Sequence, residues 1–168
     1  MKRPLVLATM ILSLLGLRAA AEPLEVGAAV PAVVATTEAG STLDLGQTGK
    51  SGFLLVYFYP KADTPGCTAQ GCSLRDAYAE LTAQGVQVVG VSTDDVAAQK
   101  AFREKYHLPF PLIADPEKKI TAAFGVPTTM GFAARQAFLF KDGKLVWRNL
   151  KAPTAQQAAE VLAVLKTL

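Results

Sequence analysis

Cysteine, histidine and tryptophan are scarce in this 168-residue chain, which holds two, one and one of them. A tetrahedral zinc site takes about four ligands, and three Cys and His residues fall short of the usual sets, so no metal and no other cofactor is expected. A Cys-x-x-Cys pair is also missing, because Cys67 and Cys72 stand five positions apart. Charge of one sign is not in excess. The 17 basic and 14 acidic residues give a formal net charge of +3, and three of the basic ones, Lys2, Arg3 and Arg18, fall within the first 21 positions. Residues 22–168 are therefore formally neutral, without the basic patch that a nucleic-acid partner would want. There is no internal repeat, linker or low-complexity tract, and the 147 residues after position 21 suit one domain with a single sizeable core.

The N-terminus reads as an export signal. Met1-Lys2-Arg3 precedes an apolar stretch from Pro4 to Leu17, and Ala19-Ala20-Ala21 follows, in the charge, core and small-residue order of a secretory signal peptide. Cleavage is expected after Ala21, giving a signal peptide over 1–21 and a domain over 22–168. The apolar stretch is shorter than the roughly 20 residues of a membrane-spanning helix, so a retained anchor is the weaker reading. A periplasmic location, with no stable membrane association after cleavage, follows. Two cysteines in an exported protein are ordinarily read as one structural disulfide, because that compartment oxidises thiols.

Phe53 to Tyr59 is a continuous apolar and aromatic run flanked by turn residues, the pattern of a strand buried on both faces. Thr64-Pro65 then resembles an N-cap followed by Pro at the first helical position, opening a helix that should run to Gly85. Val86 to Val91 is a second buried strand. Asp94 or Asp95 caps a helix through Tyr106, with His107, the lone histidine, as a helix-end residue. A short strand over 111–114 and a short helix over 117–124 follow. Lys141-Asp142-Gly143-Lys144 joins two strands, 136–140 and 145–149, as a hairpin, and Thr154 is expected to cap a last amphipathic helix. The segment 32–45 adds an N-terminal hairpin. The expected fold is α/β and thioredoxin-like, a mixed central sheet with helices on both faces.

The segment Pro60-Lys61-Ala62-Asp63-Thr64-Pro65-Gly66-Cys67-Thr68-Ala69-Gln70-Gly71-Cys72 stands where the first buried strand hands over to its helix. Ligands collect at the carboxyl ends of strands in such sheets, and Cys67 would lie in the first helical turn, where free N–H groups and the dipole favour a thiolate, the nucleophilic form. On an ideal helix, Cys72 lies about 140° around and about 7.5 Å along from Cys67, a Cα separation of about 8.6 Å. Disulfides rarely exceed about 7 Å. Joining the two therefore requires the first turn to unwind, a poor arrangement for a staple. A reduced helical state and an oxidised, locally unfolded one would form a redox cycle instead.

Pro60, Thr64 and Cys67 match the Pro-x-x-x-Thr-x-x-Cys of the peroxiredoxins, which this segment resembles. The wider text, Thr64-Pro65-Gly66-Cys67-Thr68, a second cysteine five residues on, and Leu74-Arg75-Asp76, is similar to the Q-type subfamily, also called bacterioferritin comigratory proteins. The resemblance spans nearly all of the chain from about Val26, including Tyr57-Phe58-Tyr59-Pro60 and Val91-Ser92-Thr93-Asp94. It implies a thiol-dependent peroxidase acting on hydrogen peroxide and organic hydroperoxides, with a thioredoxin-like protein as reductant. It further implies that Cys67 attacks the peroxide and becomes a sulfenic acid, and that Cys72 resolves it as an intramolecular disulfide. Thr64 would orient the peroxide, Pro60 would screen the sulfur from water, and Arg135, matching a family arginine that begins a later strand, would stabilise the transition state. The segment 127–134 is shorter than in many relatives, from which a more open rim is expected.

Plainer readings stand beside these. Thr64 as an N-cap, Arg135 as an exposed strand-start charge, and Arg75 as a helix-surface residue paired with Asp76 or Asp63 all suit their positions. The rival enzyme is a periplasmic thioredoxin-like thiol-disulfide oxidoreductase, disfavoured by the missing Cys-x-x-Cys. A copper-delivery module would pair two cysteines with a histidine, which the distal His107 does not suit. A disulfide-containing binding domain is the least specific alternative.

Overall fold

The computed structural model describes residues 22–168. The expected signal peptide over 1–21 and its cleavage point lie outside the described residues. Among the described residues no helix is long and apolar enough to cross a membrane.

The elements follow as β1 (Val34–Thr37), β2 (Thr42–Asp44), α1 (Leu45–Thr48), β3 (Phe53–Phe58), α2 (Pro65–Asp76), α3 (Tyr78–Ala83), β4 (Val86–Ser92), α4 (Val96–Tyr106), β5 (Leu112–Ala114), α5 (Lys119–Ala123), β6 (Thr128–Thr129), β7 (Phe132–Ala133), β8 (Gln136–Lys141), β9 (Lys144–Asn149) and α6 (Gln157–Leu165). Seven strands form a mixed sheet in the order β2-β1-β5-β4-β3-β8-β9. β3 runs parallel to β4 and antiparallel to β8, which pairs Phe58 with Gln136. Arg135 is thus set beside the end of β3, just where the chain leaves for Cys67.

β3 sits inside the sheet because both of its faces are apolar. Leu55, Tyr57 and Tyr59 pack into one core with Cys67, Leu74, Leu81, Phe102 and Val161, under α2, α3, α4 and α6. Leu54, Val56 and Phe58 face the other core with Leu45, Ile120, Phe124 and Phe138, under α1 and α5. Burying each of these large side chains contributes about 1.5–3 kcal/mol, which is why a run with no polar alternation becomes a central strand. The β8–β9 hairpin turns at Asp142 and Gly143, both with positive φ (49° and 82°), the conformation that Asp-Gly adopts in tight two-residue hairpins.

Two expectations are corrected. The helix beginning at Pro65 does not continue to Gly85: it breaks at Ala77 (φ −95°, ψ 7°), and α3 begins afresh where Tyr78 packs on Phe110. Thr154 does not cap α6, whose N-cap is Gln156. Ser73 Oγ of α2 accepts from Ala158 N (3.1 Å), so a distant side chain satisfies one of the orphan donors that a local cap would serve. The segment 127–134 forms a small hairpin, β6–β7, turning at Met130 and Gly131, both at positive φ.

Candidate active site

Cys67 is the third residue of α2, after Pro65 at the first helical position, and is buried to 1% exposure. Pro65 needs no N–H partner there, which makes Thr64-Pro65 a natural helix start. Thr64 occupies the N-cap position with extended backbone, but its hydroxyl donates to Lys61 O (2.9 Å) and makes no capping bond. The plain capping reading of that side chain is therefore corrected: it serves the loop between β3 and α2. Cys72 is half-buried on the same unbroken helix, and both thiols are free.

Arg135 Nη2 donates to Cys67 Sγ at 3.3 Å, and Nη1 donates to Gln70 Oε1. The reading of Arg135 as an exposed surface charge fails on this contact. Gly66 makes room for it, since a Cβ there would stand 3.2 Å from Arg135 Nη2. Pro60, half-buried, ends the run of β3 directly before the loop. The fold thus brings Cys67 and Arg135 together at the start of α2, with Cys72 five residues further along the helix and Thr64 and Pro60 on the adjoining loop.

That loop is held on two sides. Ala62 N donates to Asp94 Oδ2 (2.7 Å), which also accepts from Ser92 Oγ. Asp63, at a positive φ of 58°, accepts from Lys105 Nζ (2.7 Å) and Tyr106 OH (2.6 Å) at the end of α4. The Lys105 bond, then that from Tyr106, holds the Asp63 carboxyl below its ordinary range. Arg75 pairs with Asp76 (2.8 Å) and donates to Tyr106 O (2.8 Å). Asp76 and, beyond it, the nearby Cys72 sulfur hold the Arg75 guanidinium more firmly protonated than usual. His107 is the left-handed C-cap of α4, in keeping with a helix-end role.

Tyr57 lies in the core beneath this site, and its hydroxyl has no hydrogen-bond partner among the described residues. Burial, then the neighbouring Cys67 and Cys72, pushes the phenol far above its ordinary value, so it stays protonated. Sequence reasoning gave Gln70 and Gly66 no role of their own, and read Asp63 only as a partner for Arg75 and Asp94 only as a helix cap and part of the family resemblance. A groove of about 670 Å³ lined by Val34, Asp95, Ala114, Asp115 and Lys119, among others, contains none of the site residues. Among the described residues no cluster of His, Cys, Asp and Glu suits a metal ion.

A helix-borne thiol, a guanidinium on its sulfur and a second thiol one and a half turns away are thiol-redox apparatus, and comparison with known proteins gives the same class. The AhpC/TSA family profile matches residues 26–148. The chain belongs to this family, in its Q-type peroxiredoxin branch. It is 38% identical over 148 residues to "Peroxiredoxin Q, chloroplastic" of Populus jackii, covering 84% of this chain and 68% of that one. It is 41% identical over 103 residues to "Putative peroxiredoxin bcp" of Coxiella burnetii, covering 61% and 68%. A solved structure of Xanthomonas campestris peroxiredoxin Q superposes with a TM-score of 0.77 at 32% identity, covering 86% of this chain and 96% of that one. The peroxiredoxin fold is a thioredoxin-like one, as its alternating strands and helices suggested, and its members are thiol-dependent peroxidases.

Proposed function

We propose that this peroxiredoxin reduces hydroperoxides with Cys67 as the attacking sulfur and Cys72 as the resolving one. The contact of Arg135 with Cys67 Sγ carries the reading, because it places a fixed positive charge at the reacting atom. The Cys67 thiolate attacks the terminal peroxide oxygen, the O–O bond breaks, and an alcohol or water leaves once its oxygen gains a proton. Cys67 is thereby oxidised by two electrons to a sulfenic acid. Cys72 sulfur then attacks that sulfur, an S–S bond forms, the S–O bond breaks and water departs. A dithiol reductant returns both thiols and becomes a disulfide itself. Thr64 orients the peroxide from the loop, and Pro60 shields the sulfur from bulk water.

The export reading supports a periplasmic setting, with a thioredoxin-like protein as electron donor. The thiol-disulfide oxidoreductase alternative predicts no consumption of peroxide. Reduced chain over 22–168 should consume one equivalent of hydrogen peroxide with loss of two thiols, followed by stopped-flow and mass spectrometry of Cys67 and Cys72. Cys67→Ser should abolish the reaction, since the remaining thiol, Cys72, lies five residues along α2, away from the helix start and the guanidinium that meets Cys67 Sγ. Cys72→Ser should still undergo the first oxidation and accumulate sulfenic or sulfinic acid. Rapid turnover by Cys67→Ser would overturn the assignment.

A further inference from the structure

Arg135 is held from behind by a chain of side-chain hydrogen bonds that ends on the last helix. Beyond its bond to Gln70 Oε1, Gln70 Nε2 donates to Gln157 Oε1 (2.9 Å) and Gln157 Nε2 donates to Glu160 Oε2 (3.4 Å). Asn149 Nδ2 of β9 donates to the other oxygen, Glu160 Oε1 (2.6 Å). Gln70 and Gln157 are fully buried, while Glu160 and Asn149 are half-buried.

An amide side chain has an accepting end and a donating end, whereas a guanidinium only donates and a carboxylate only accepts. Arg135 therefore turns the oxygen of Gln70 toward itself, which turns the nitrogen toward Gln157. The same logic leaves the nitrogen of Gln157 facing Glu160. With a cation at one end and an anion at the other, the chain has a single allowed polarity; reversing either amide would bury two like groups against each other. Packing alone would be served better by apolar side chains, since each buried amide costs free energy until its bonds are made.

We propose that Gln157 and Glu160, backed by Asn149, are positioning residues for the first oxidation step. They fix the amide of Gln70, and through it the angle at which Arg135 meets Cys67 and the peroxide oxygens. Neither touches substrate. The proposal rests on the peroxidatic reading of Cys67 and Arg135. Gln70 lies between Cys67 and Cys72, so unwinding of α2 breaks the chain just when the disulfide forms. The chain is intact only in the helical state that attacks, so its loss slows attack, whereas resolution, which requires these bonds to break, is not slowed.

The test uses the chain over 22–168, with Cys72→Ser present when peroxide attack is timed and Cys72 intact when disulfide formation is timed. Gln157→Met keeps the length of the side chain but removes both bonds; attack should slow about tenfold, part of the roughly 10²-fold that a 1 Å misplacement costs, while disulfide formation is no slower than in the parent. Gln157→Glu alone sets two carboxylates together and should also slow attack. Adding Glu160→Gln restores a donor–acceptor chain of the same polarity, and attack should recover to within about threefold of the parent. Attack by Gln157→Met at the parent rate, equal slowing of both steps, or no recovery in the double variant would each overturn the proposal. Should Gln157→Met not fold, Glu160→Ala at its half-buried position carries the test, with attack about threefold slower expected and an unchanged rate overturning it. If the parent chain itself ignores peroxide, the peroxidase reading fails instead.

Discussion

A guanidinium bonded to a buried sulfur is a costly arrangement unless the sulfur or its reaction partner carries negative charge. Among the described residues no carboxylate pairs with Arg135; its side-chain partners are Cys67 and Gln70. In the proposed reaction the counter-charge is left to the Cys67 sulfur as it attacks and to the peroxide oxygens as their bond breaks. Arg135→Ala should slow peroxide attack by about 10²-fold, the scale seen when one oxyanion donor is removed. Arg135→Lys should recover only part, because a point charge cannot reach Cys67 Sγ and Gln70 Oε1 with separate nitrogens. Stopped-flow oxidation of each variant measures this, and parent-like attack by Arg135→Ala would remove Arg135 from the chemistry. Tyr57 poses a different question. A buried hydroxyl without a protein partner costs about 1–3 kcal/mol, so Tyr57→Phe should stabilise the fold by about 1 kcal/mol in urea unfolding. A loss of stability would show that the hydroxyl has a partner, such as a buried water.

In the proposed cycle α2 carries the redox chemistry, and it is also one wall of the core. Its helical form keeps Cys67 and Cys72 too far apart to bond, so the disulfide forms only if the segment between them unwinds. Two tethers to α6 start in or beside that segment, Gln70 to Gln157 and Ser73 Oγ to Ala158 N. Oxidation should therefore accelerate amide exchange in residues 65–73 and in the first turn of α6, and leave the β8–β9 hairpin unchanged. Exchange that rises in α2 alone would mean that the tethers survive. This coupling also marks where the sequence could be read and where it could not. β3, β4 and the hairpin were legible because unbroken apolar runs and an Asp-Gly turn are local signals. The cap of α6 was not, because Ser73 supplies it from 85 positions away. Pro60, Thr64 and Cys67 were visible as a motif, and Arg135 only through family resemblance. Gln70 looked like any helix glutamine until its two partners were brought to it by the fold.

At the scale of the whole molecule, the site must be supplied with electrons, and the proposed export makes that the hardest step of the cycle. In the proposed cycle a disulfide between Cys67 and Cys72 has to be reduced after every turnover, yet a periplasmic protein leaves the cytosolic thiol pools behind and meets machinery that maintains oxidation. Electrons must then arrive through a protein that receives them across the membrane. The unwound α2 segment is where such a donor would dock, since unwinding exposes a short, strained disulfide to an incoming thiolate. Met130, which is 91% exposed, and Phe132 stand on the β6–β7 hairpin, and Lys61 from the loop before α2 lies over the Phe132 ring, so this hairpin borders the approach. A periplasmic thioredoxin-like bait lacking its own resolving cysteine should trap the oxidised chain as a mixed disulfide, mapped by mass spectrometry to Cys67 or Cys72. Met130→Asp should lower the trapping yield several-fold while leaving peroxide attack by the reduced chain intact, because a carboxylate on an apolar contact disfavours docking without touching the sulfur. Recovery of the full-length chain from the cytoplasm with residues 1–21 intact would remove the premise, and equal trapping with Met130→Asp would move the docking face elsewhere.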